Sequence, residues 1–220
     1  MQSARIVEIL IATRNPGKAR EIEAILADAG GVVEASTAIH WKTLVDLTES
    51  IGEPEEDQDT FGGNAAMKAS YYSRATGLWT LADDSGLEVD ALNGAPGVRS
   101  ARFAALPNEP SRAERDQANN AKLIVQLHDV PPQQRTARFR CAMALADGQR
   151  ILAAAEGTIE GRIIDPPRGR DGFGYDPHFL VPRLGKTTAE LAPAEKNRIS
   201  HRGQALRLMR TKLRALLEQS

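Results

Sequence analysis

Segments with the pattern of buried strands alternate along this chain with segments whose apolar residues recur at helical spacing. The run Ile9-Leu10-Ile11 is typical of a buried strand, and Ile22, Ile25 and Leu26 fall on one face of the helix expected after it. The predicted strands occupy residues 6–13, 32–37, 78–82 and 87–92, and the predicted helices occupy residues 18–29, 60–76 and 111–127. This alternation predicts an α/β fold in which helices cover a central sheet.

One pair of predicted strands has to be antiparallel. Residues 137–146 alternate in polarity, the turn Asp147-Gly148 follows them, and a further strand begins at Ile151. Two such segments joined by a short turn predict a β-hairpin, so the sheet is mixed. A closing amphipathic helix follows Ser200. Residues 165–177 form a long loop rich in glycine, proline and charge, and such loops tend to carry function in compact domains.

The composition narrows the class of protein. The chain has 220 residues, with 28 basic and 29 acidic side chains and a net charge of −1. We expect a single domain over 1–220, and a charge this close to zero gives no electrostatic reason to expect nucleic acid or membrane as the main partner. The one cysteine, Cys141, excludes an internal disulfide and a cysteine zinc cluster. Because there is neither a membrane-spanning apolar run nor a signal-peptide pattern, we expect a soluble cytoplasmic protein.

The turn Thr13-Arg14-Asn15-Pro16-Gly17-Lys18 lies between the first predicted strand and the first predicted helix. Backbone N–H groups at a helix N-terminus favour anions and Lys18 adds a mobile positive charge, so a polyphosphate is the expected ligand. The alternative is a plain turn with a surface lysine. Lys68 follows Asn64 by one helical turn, and it is either a second phosphate ligand or an exposed lysine.

Two pairs of carboxylates are candidate metal ligands. The predicted strand 78–82 ends at Asp83-Asp84-Ser85-Gly86, which puts hard oxygen ligands at the edge of the sheet, where ligands usually bind. Magnesium takes one or two carboxylates together with water and substrate phosphates, and a carboxylate there can also accept the proton of an attacking water. Glu55-Glu56 lie in an acidic loop. For either pair the alternative is a solvated acidic segment.

Two further segments suit the binding of a base. Phe173 in Gly172-Phe173-Gly174-Tyr175-Asp176-Pro177 is flanked by glycines and can lie flat on a ring, although the pattern also fits a turn with a buried phenylalanine. Ser200-His201-Arg202 begins the last helix, shortly after Lys196, and its donors suit a purine with an oxygen at position 6. Adenine would leave such buried donors unmatched, at about 1–3 kcal/mol each. The alternative is a capped helix with solvent-facing side chains.

Seven motifs, in the same order along nearly the whole chain, resemble those of the inosine triphosphate pyrophosphatase (ITPase) family of house-cleaning enzymes. They are Thr13-x-Asn15-x-Gly17-Lys18, Thr60-Phe61-x-x-Asn64-Ala65-x-x-Lys68-Ala69, Asp83-Asp84-Ser85-Gly86-Leu87, Gly94-Ala95-Pro96-Gly97 with Ser100-Ala101-Arg102, Phe173-Gly174-Tyr175-Asp176-Pro177, Glu195-Lys196 and Ser200-His201-Arg202. Each motif alone is weak, whereas seven in the correct order are highly specific.

The resemblance implies an activity, a cofactor and a fold. The family cuts non-standard purine nucleoside triphosphates (ITP, dITP and XTP) to the monophosphate and pyrophosphate with Mg²⁺, which removes damaged purines from the nucleotide pool. Its fold is an elongated mixed sheet with flanking helices and two lobes around a substrate cleft, and its members are usually homodimers. We therefore expect the same of this chain.

The resemblance also implies a role for each matching residue. The triphosphate would be held by Thr13, Arg14, Asn15, Pro16, Gly17, Lys18 and Lys68, and Ser85 would contact the substrate. Asp84 would be the proton acceptor and a metal ligand, with Glu55, counted back from Phe61, as the second metal ligand. Phe173 would stack on the base within the segment that continues through Gly174 and Tyr175, while Asp176, Lys196, His201 and Arg202 would read the edge of the base.

One position departs from the family pattern in a way that has a structural consequence. Gly63 stands where the family commonly has Glu, three residues after Thr60. Glu at this position would complete a capping box, so we expect the helix over 60–76 to begin slightly less stably in this chain.

Two other functions are consistent with parts of the sequence. A pyrophosphatase for modified pyrimidine or methylated nucleotides would use the same phosphate-binding residues with another base pocket, and the donors of Ser200-His201-Arg202 favour 6-oxopurines over it. A nucleic-acid-binding module would use the basic residues of the last segment, Arg198, Arg202, Arg207, Arg210, Lys212 and Arg214. The overall charge argues against that module, since a domain of this kind is normally basic.

Overall fold

A computed structural model describes residues 5–28, 33–34, 37–107 and 110–219 of the chain. The strands are β1 (Arg5–Ile11), β2 (Val33–Glu34), β3 (Thr37–Thr43), β4 (Trp79–Val89), β5 (Thr136–Asp147), β6 (Arg150–Ile163), β7 (Phe179–Val181) and β8 (Lys186–Thr187). The α-helices are α1 (Pro16–Asp28), α2 (Phe61–Thr76), α3 (Arg112–Gln126), α4 (Pro193–Ile199) and α5 (His201–Glu218). Short 3₁₀ helices include Gly97–Arg102 and Asp176–His178.

Within the described residues the strands form a mixed sheet in the order β2-β3-β1-β4-β5-β6-β7-β8. β1 pairs in parallel with both β3 and β4, whereas β7 pairs antiparallel with β6 and β8. β5 and β6 are neighbours joined by only two residues, which is too short for a parallel crossover, so this pair is the predicted antiparallel hairpin. The α/β class and the mixed sheet with flanking helices are confirmed.

The chain forms two compact units, each with its own apolar core. Unit 1 comprises Met1–Asp84, Cys141–Gly157 and Arg202–Ser220, and unit 2 comprises Ser85–Arg140 and Thr158–His201. The core of unit 1 includes Ile9, Ile11, Ile22, Leu81, Met143, Leu145, Leu206, Met209 and Leu213. The core of unit 2 includes Leu87, Val89, Leu123, Leu127, Phe139, Ile159, Ile163, Tyr175 and Phe179. The expectation of two lobes around a cleft stays a prediction.

The prediction that one strand ends at residues 83–86 and a second begins at Leu87 is wrong, because β4 runs without interruption from Trp79 to Val89. Acidic and small residues are typical of turns, but here Asp83 and Asp84 are only 3% and 5% exposed and have partners within the fold. Gly86 allows β4 to approach Ser100 closely, since a Cβ atom at this position would clash with Ser100 Oγ. Tertiary contacts therefore override the local turn preference.

Most of β3 and all of α4, β7 and β8 were not predicted from the sequence, and one prediction lies partly outside the described residues. The strand predicted over 32–37 corresponds to β2 and the first residue of β3, with residues 32, 35 and 36 outside the described part. β3 continues to Thr43, beyond the predicted end, and its residues pair in parallel with β1. The seven-residue helix α4 precedes α5 and carries Lys196.

Helices α2 and α3 begin directly after residues whose side chains cap them. Thr60 caps α2 by accepting a hydrogen bond from the Gly63 N–H at 3.0 Å, so one half of the capping box persists although Gly63 lacks a carboxylate. Ser111 and Glu114 form a complete capping box at the start of α3. Among the described residues, no helix combines the length and the apolar character that crossing a membrane requires.

Candidate active site

The end of β1 brings the turn 13–18 beside β4. Ile11, the last residue of β1, pairs with Leu81, and β4 continues past this point to Asp83 and Asp84. The chain leaving β1 therefore passes the two carboxylates before α1 begins. As a result Lys18 Nζ lies 3.1 Å from Asp83 Oδ2, although 65 positions separate the two residues in the sequence.

Asn15 determines the structure of the turn at the start of α1. Its Oδ1 accepts hydrogen bonds from the backbone N–H groups of Gly17 at 2.9 Å and Lys18 at 3.1 Å, and Pro16 occupies the first helical position, where no N–H is needed. The helix-terminal N–H groups that the sequence suggested for anion binding are thus already bonded. The positive charge of this turn comes from its side chains, and the guanidinium of Arg14 donates to the carbonyl oxygen of Ile51.

Asp83 is the centre of a buried ion-pair network. Besides Lys18, its Oδ2 accepts hydrogen bonds from Nε and Nη2 of Arg202, each at 3.3 Å, and Arg202 also donates to Glu21. Burial alone would raise the pKa of Asp83, but the charges of Lys18, Arg202 and Lys68 lower it well below the ordinary carboxyl range. Asp83 is therefore a permanent anion at neutral pH.

Arg202 is 1% exposed, the sole guanidinium among the described residues to be buried so completely. Burial alone would lower its pKa, whereas Asp83 and Glu21 raise it, so the side chain is charged in the folded protein. The sequence assigned Arg202 to the edge of a base. The structure gives its guanidinium two carboxylate partners, which the sequence analysis did not foresee.

Asp84 has a different environment from its neighbour. Its Oδ2 accepts a hydrogen bond from Asn64 Nδ2 at 2.9 Å, and its Oδ1 lies 3.7 Å from Lys68 Nζ. Burial raises the pKa of Asp84, an effect that Glu56 increases and that Lys68, Lys18 and Asn64 reduce without reversing it. Two adjacent carboxylates whose pKa values move in opposite directions are an arrangement suited to acid–base chemistry.

Lys68 connects α2 to the acidic loop before it. Its Nζ lies 2.6 Å from Glu56 Oε1, so the structure brings Glu56 to this group of charges, whereas Glu55 is exposed. Burial alone would lower the pKa of Lys68, but Asp84, Asp83 and Glu56 raise it overall. Counting back from Phe61 through a loop without periodicity selected Glu55. In the structure it is Glu56 that contacts Lys68, and the metal role of Glu55 stays a prediction.

We call Lys18, Glu56, Lys68, Asp83 and Asp84 the carboxylate–lysine cluster. Its donor set fits Mg²⁺, which prefers hard oxygen ligands and completes its shell with water and substrate phosphates. Asp83 Oδ1 is buried and has no hydrogen-bond partner among the described residues. No group of three or more His, Cys, Asp or Glu side chains in the described part of the chain forms a metal cage, so a cation here would need ligands from a substrate or from water.

The second set of predicted site residues lies in unit 2, in the segment Gly172–Asp176, which we call the aromatic loop. Asp176 organises it: its Oδ2 accepts from the Phe173 N–H at 2.8 Å and from Lys196 Nζ at 2.6 Å, and its Oδ1 accepts from Thr188 Oγ1 at 2.8 Å. Phe173 is half-buried, and Lys196 Nζ lies 5.0 Å from the centre of its ring. This spacing is within the range of a cation–π contact.

Tyr175, His201 and Ser85 are three further predicted site residues. Tyr175 is buried and its hydroxyl donates to the Ser100 carbonyl oxygen at 2.9 Å, while burial and Asp116 raise its pKa above the ordinary phenol value. The His201 ring stacks on Phe139 at 5.0 Å between centroids. Ser85 is half-buried on β4, directly after Asp84.

Several residues around these groups were missed by the sequence analysis. Glu21 lies one helical turn after Lys18, and this spacing was the only local indication that both occupy one face of α1. Arg112, Asp116 and Asn120 of α3 contact the aromatic loop, at the spacing of four that puts them on one helical face. Nothing in the sequence connects α3 with residues 172–176, because more than 50 positions separate them.

Comparisons with known proteins agree over nearly the whole chain. The sequence profile of the Ham1 family matches residues 9–212. A dITP/XTP pyrophosphatase of Geobacillus kaustophilus is 48% identical over 199 residues, which are 90% of each chain. One of Bacillus licheniformis is 45% identical over 97% of this chain and 99% of its own. Among solved structures, a HAM1 protein from Coxiella burnetii has a TM-score of 0.79 at 38% identity, and it covers 97% of this chain and 100% of its own.

Proposed function

Because the chain belongs to the Ham1 family, we propose that it is a nucleoside-triphosphate pyrophosphatase for non-standard purine nucleotides. Its substrates are dITP, ITP and XTP, and its products are the nucleoside monophosphate and pyrophosphate. The names of relatives that are 45–48% identical over most of the chain support this substrate class. The observation that carries the proposal is the pair Asp83 and Asp84, each beside its own lysine.

The carboxylate–lysine cluster binds the triphosphate. Lys18 and Lys68 are two ammonium groups within 4 Å of two adjacent strand carboxylates, so cationic and anionic groups alternate over a short distance. Such a site offers positive charge to phosphate oxygens while the carboxylates hold the lysines in place. Thr13, Arg14, Asn15 and Ser85 are the further candidates for contact with the phosphates or the sugar.

Asp84 acts as the general base. Its raised pKa brings it closer to the operating pH, so the side chain can take a proton from the attacking water. Asn64 Nδ2 bonds one carboxylate oxygen and thereby fixes the orientation of the group. The water adds to the α-phosphorus, the bond to the bridging oxygen breaks, and pyrophosphate leaves with the negative charge that the lysines offset.

Asp84 and Glu56 are the residues that we propose to hold Mg²⁺. When bound, the ion offsets charge on the phosphates and lowers the pKa of a bound water. Glu56 is favoured over the sequence-based choice, Glu55, because it already contacts Lys68 at 2.6 Å.

The two glutamates provide a matched pair of variants. Glu56→Gln is expected to raise the Mg²⁺ concentration needed for half-maximal activity by about tenfold, which corresponds to a loss of about 1.4 kcal/mol in the free energy of Mg²⁺ binding. Glu55→Gln should leave it within about twofold. Activity measured against free Mg²⁺ concentration checks both, and the reverse ranking would return the metal role to Glu55.

The aromatic loop binds the base. Phe173 offers a ring face for stacking, and Lys196 and Asp176 offer a donor and an acceptor beside it. His201 and Arg202 are the remaining predicted donors for a 6-oxo group. A 6-amino purine would leave such donors unmatched, which supports discrimination against ATP of about tenfold to a hundredfold per group.

A substrate panel tests the proposed function. Pyrophosphate release with Mg²⁺ is measured for dITP, ITP, XTP, ATP, GTP, dUTP and dTTP. We expect kcat/KM for the first three to exceed that for ATP by at least about a hundredfold. Preference for a pyrimidine nucleotide, or release of orthophosphate in place of pyrophosphate, would refute the proposal.

We also propose, on the family resemblance, that the protein is a cytoplasmic homodimer without a nucleic-acid partner.

A further inference from the structure

Helix α3 reaches the aromatic loop with three side chains from one face. Asp116 Oδ2 accepts a hydrogen bond from the Gly174 N–H at 2.9 Å, and Asn120 Nδ2 donates to the Gly174 carbonyl oxygen, also at 2.9 Å. One turn earlier, the Arg112 guanidinium carbon lies 4.7 Å from the centre of the Phe173 ring. Residues four positions apart on a helix share a face, so the three contacts follow from a single placement of α3.

These contacts fix the part of the loop that determines where Phe173 points. Gly174 has a positive φ of +62°, and a Cβ atom there would meet nothing within 4 Å. Glycine is therefore required for its conformation and not for lack of space. Helix α3 holds both the N–H and the carbonyl group of Gly174. On one side of this glycine Phe173 is half-buried, and on the other side Tyr175 is buried in the core of unit 2.

The same helix also holds the segment onto which Tyr175 bonds. Asn119 Nδ2 donates to the carbonyl oxygens of Ser100 and Ala101, each at 3.3 Å, and its Oδ1 accepts from the Ala104 N–H at 2.7 Å. Tyr175 donates to the same Ser100 carbonyl oxygen. The aromatic loop is thus attached to α3 both directly, through Gly174, and indirectly, through the 3₁₀ helix Gly97–Arg102.

We propose that Asp116 and Asn120, with Arg112 beside them, are positioning residues for base recognition: they hold Gly174 so that the Phe173 ring is preorganised to stack on the purine. This inference rests on the proposed role of Phe173. The contacts that carry the proposal are all with the aromatic loop, and none of the three residues belongs to the carboxylate–lysine cluster, so we expect their effect to fall on the binding of the base. Stacking on a ring that is already oriented loses less free energy to ordering than stacking on a mobile one.

A double-mutant cycle with Phe173 tests the proposal. Asn120→Ala is expected to raise KM for ITP about tenfold, as for the loss of one well-placed hydrogen bond, with kcat within about twofold. In a Phe173→Ala background the same substitution should change KM by less than about twofold, because a residue that acts through Phe173 has no effect without the ring. Equal effects in both backgrounds, or an unchanged KM in the first, would overturn the inference.

Conservative variants separate positioning from a merely structural role. Asp116→Asn keeps an acceptor for the Gly174 N–H and should retain a KM within about threefold of wild type, whereas Asp116→Ala should raise it about tenfold. Gln117→Ala, an exposed position on the same helix, is the control for changes in α3 itself. Should Asn120→Ala fail to fold, the two Asp116 variants carry the test, and equal KM values for them would contradict the proposal.

Inorganic tripolyphosphate, used as a competitive inhibitor, probes phosphate binding without a base. Its inhibition constant should stay within about twofold in every α3 variant, and a parallel tenfold rise would refute a role confined to the base.

The Phe173→Ala single variant distinguishes a failure of the proposed stacking role from a failure of the positioning inference. If it leaves KM for ITP unchanged, the proposed stacking role fails. If it raises KM while the α3 variants do not, only the positioning inference fails.

Discussion

Asp83 and Asp84 are adjacent in the sequence but differ in partners and in ionisation. Successive side chains on a strand point to opposite faces, so residues that follow each other on β4 meet different surroundings. Asp83 meets Lys18 and Arg202, and Asp84 meets Asn64 and Lys68. The strand geometry thus assigns one carboxylate to a structural ion pair and leaves the other with a raised pKa.

Replacing Asp84 should therefore stabilise the metal-free protein while it removes activity. The folded-state pKa of Asp84 lies above its ordinary value of 3.8, so ionisation costs free energy in the folded protein as the pH rises through that pKa. Asp84→Asn avoids this cost. In urea denaturation with EDTA, the variant should be more stable than wild type at pH 7, and the difference should disappear below about pH 3.5.

Asp83→Asn is the matched control, since the same change at the neighbouring residue has the opposite sign. The folded-state pKa of Asp83 is lowered, so its contribution to stability is present above the unfolded pKa and is lost as the pH falls through the folded one. Removing this buried partner of Lys18 and Arg202 should cost about 3–5 kcal/mol at pH 7. Destabilisation by Asp84→Asn at pH 7 would contradict the assignment of the two environments.

At the scale of elements, α1 depends on the cap that Asn15 provides. Asn15→Ala leaves the Gly17 and Lys18 N–H groups without their acceptor and should destabilise the protein by about 1 kcal/mol. Asn15→Asp retains an acceptor and places a negative charge near the positive end of the helix, so stability should stay at the wild-type level.

Asn15→Asp should impair substrate binding more than Asn15→Ala does, although it should be the more stable of the two variants. The new carboxylate of Asn15→Asp repels a triphosphate bound near Lys18, and we expect KM for dITP to rise about tenfold or more, with a smaller rise for Asn15→Ala. Urea denaturation and steady-state kinetics on the same preparations measure both quantities. A wild-type KM for Asn15→Asp would separate this turn from triphosphate binding.

Elements whose start depends on nearby residues were predictable from the sequence, whereas elements that depend on long-range contacts were not. The starts of α2 and α3 were predictable because each is marked by a nearby capping residue, Thr60 or Ser111, and caps act within one helical turn. The expected end of the strand at 83–86 was wrong because the contacts that keep β4 continuous are long-range. Asp83 is stable inside a strand because it is paired with Lys18 and Arg202. α4 was missed because its seven residues are too few for a helical period to be recognised.

At the scale of the whole molecule, a net charge of −1 conceals strong local charge. Three cations, Lys18, Lys68 and Arg202, lie among the carboxylates of unit 1. Charges paired in this way cancel in any sum over the sequence, so the composition argued against a nucleic-acid module but gave no sign of the polyphosphate site that we propose. The turn at residues 13–18 and the family motifs supplied that indication, and the motifs also named Lys18, Lys68 and Asp84, which the fold brings together.

The part of the site that sequence reasoning could not supply is its long-range pairing. Arg202 and Asp83 are 119 positions apart, and Asn120 and Gly174 are 54 apart. Neither pair has a local spacing or period that would suggest contact. The positions within a motif were therefore predictable, whereas the partner of each side chain was decided by the fold.

The central claim, that Asp84 within the carboxylate–lysine cluster promotes cleavage of dITP to dIMP and pyrophosphate, is tested most directly by one measurement. Pyrophosphate and orthophosphate are quantified from dITP with Mg²⁺ for wild type and Asp84→Asn side by side. We predict one pyrophosphate for each dIMP from wild type and a fall in kcat of about a hundredfold or more in the variant. A variant that turns over at the wild-type rate, or a wild-type protein that releases orthophosphate, would contradict the account.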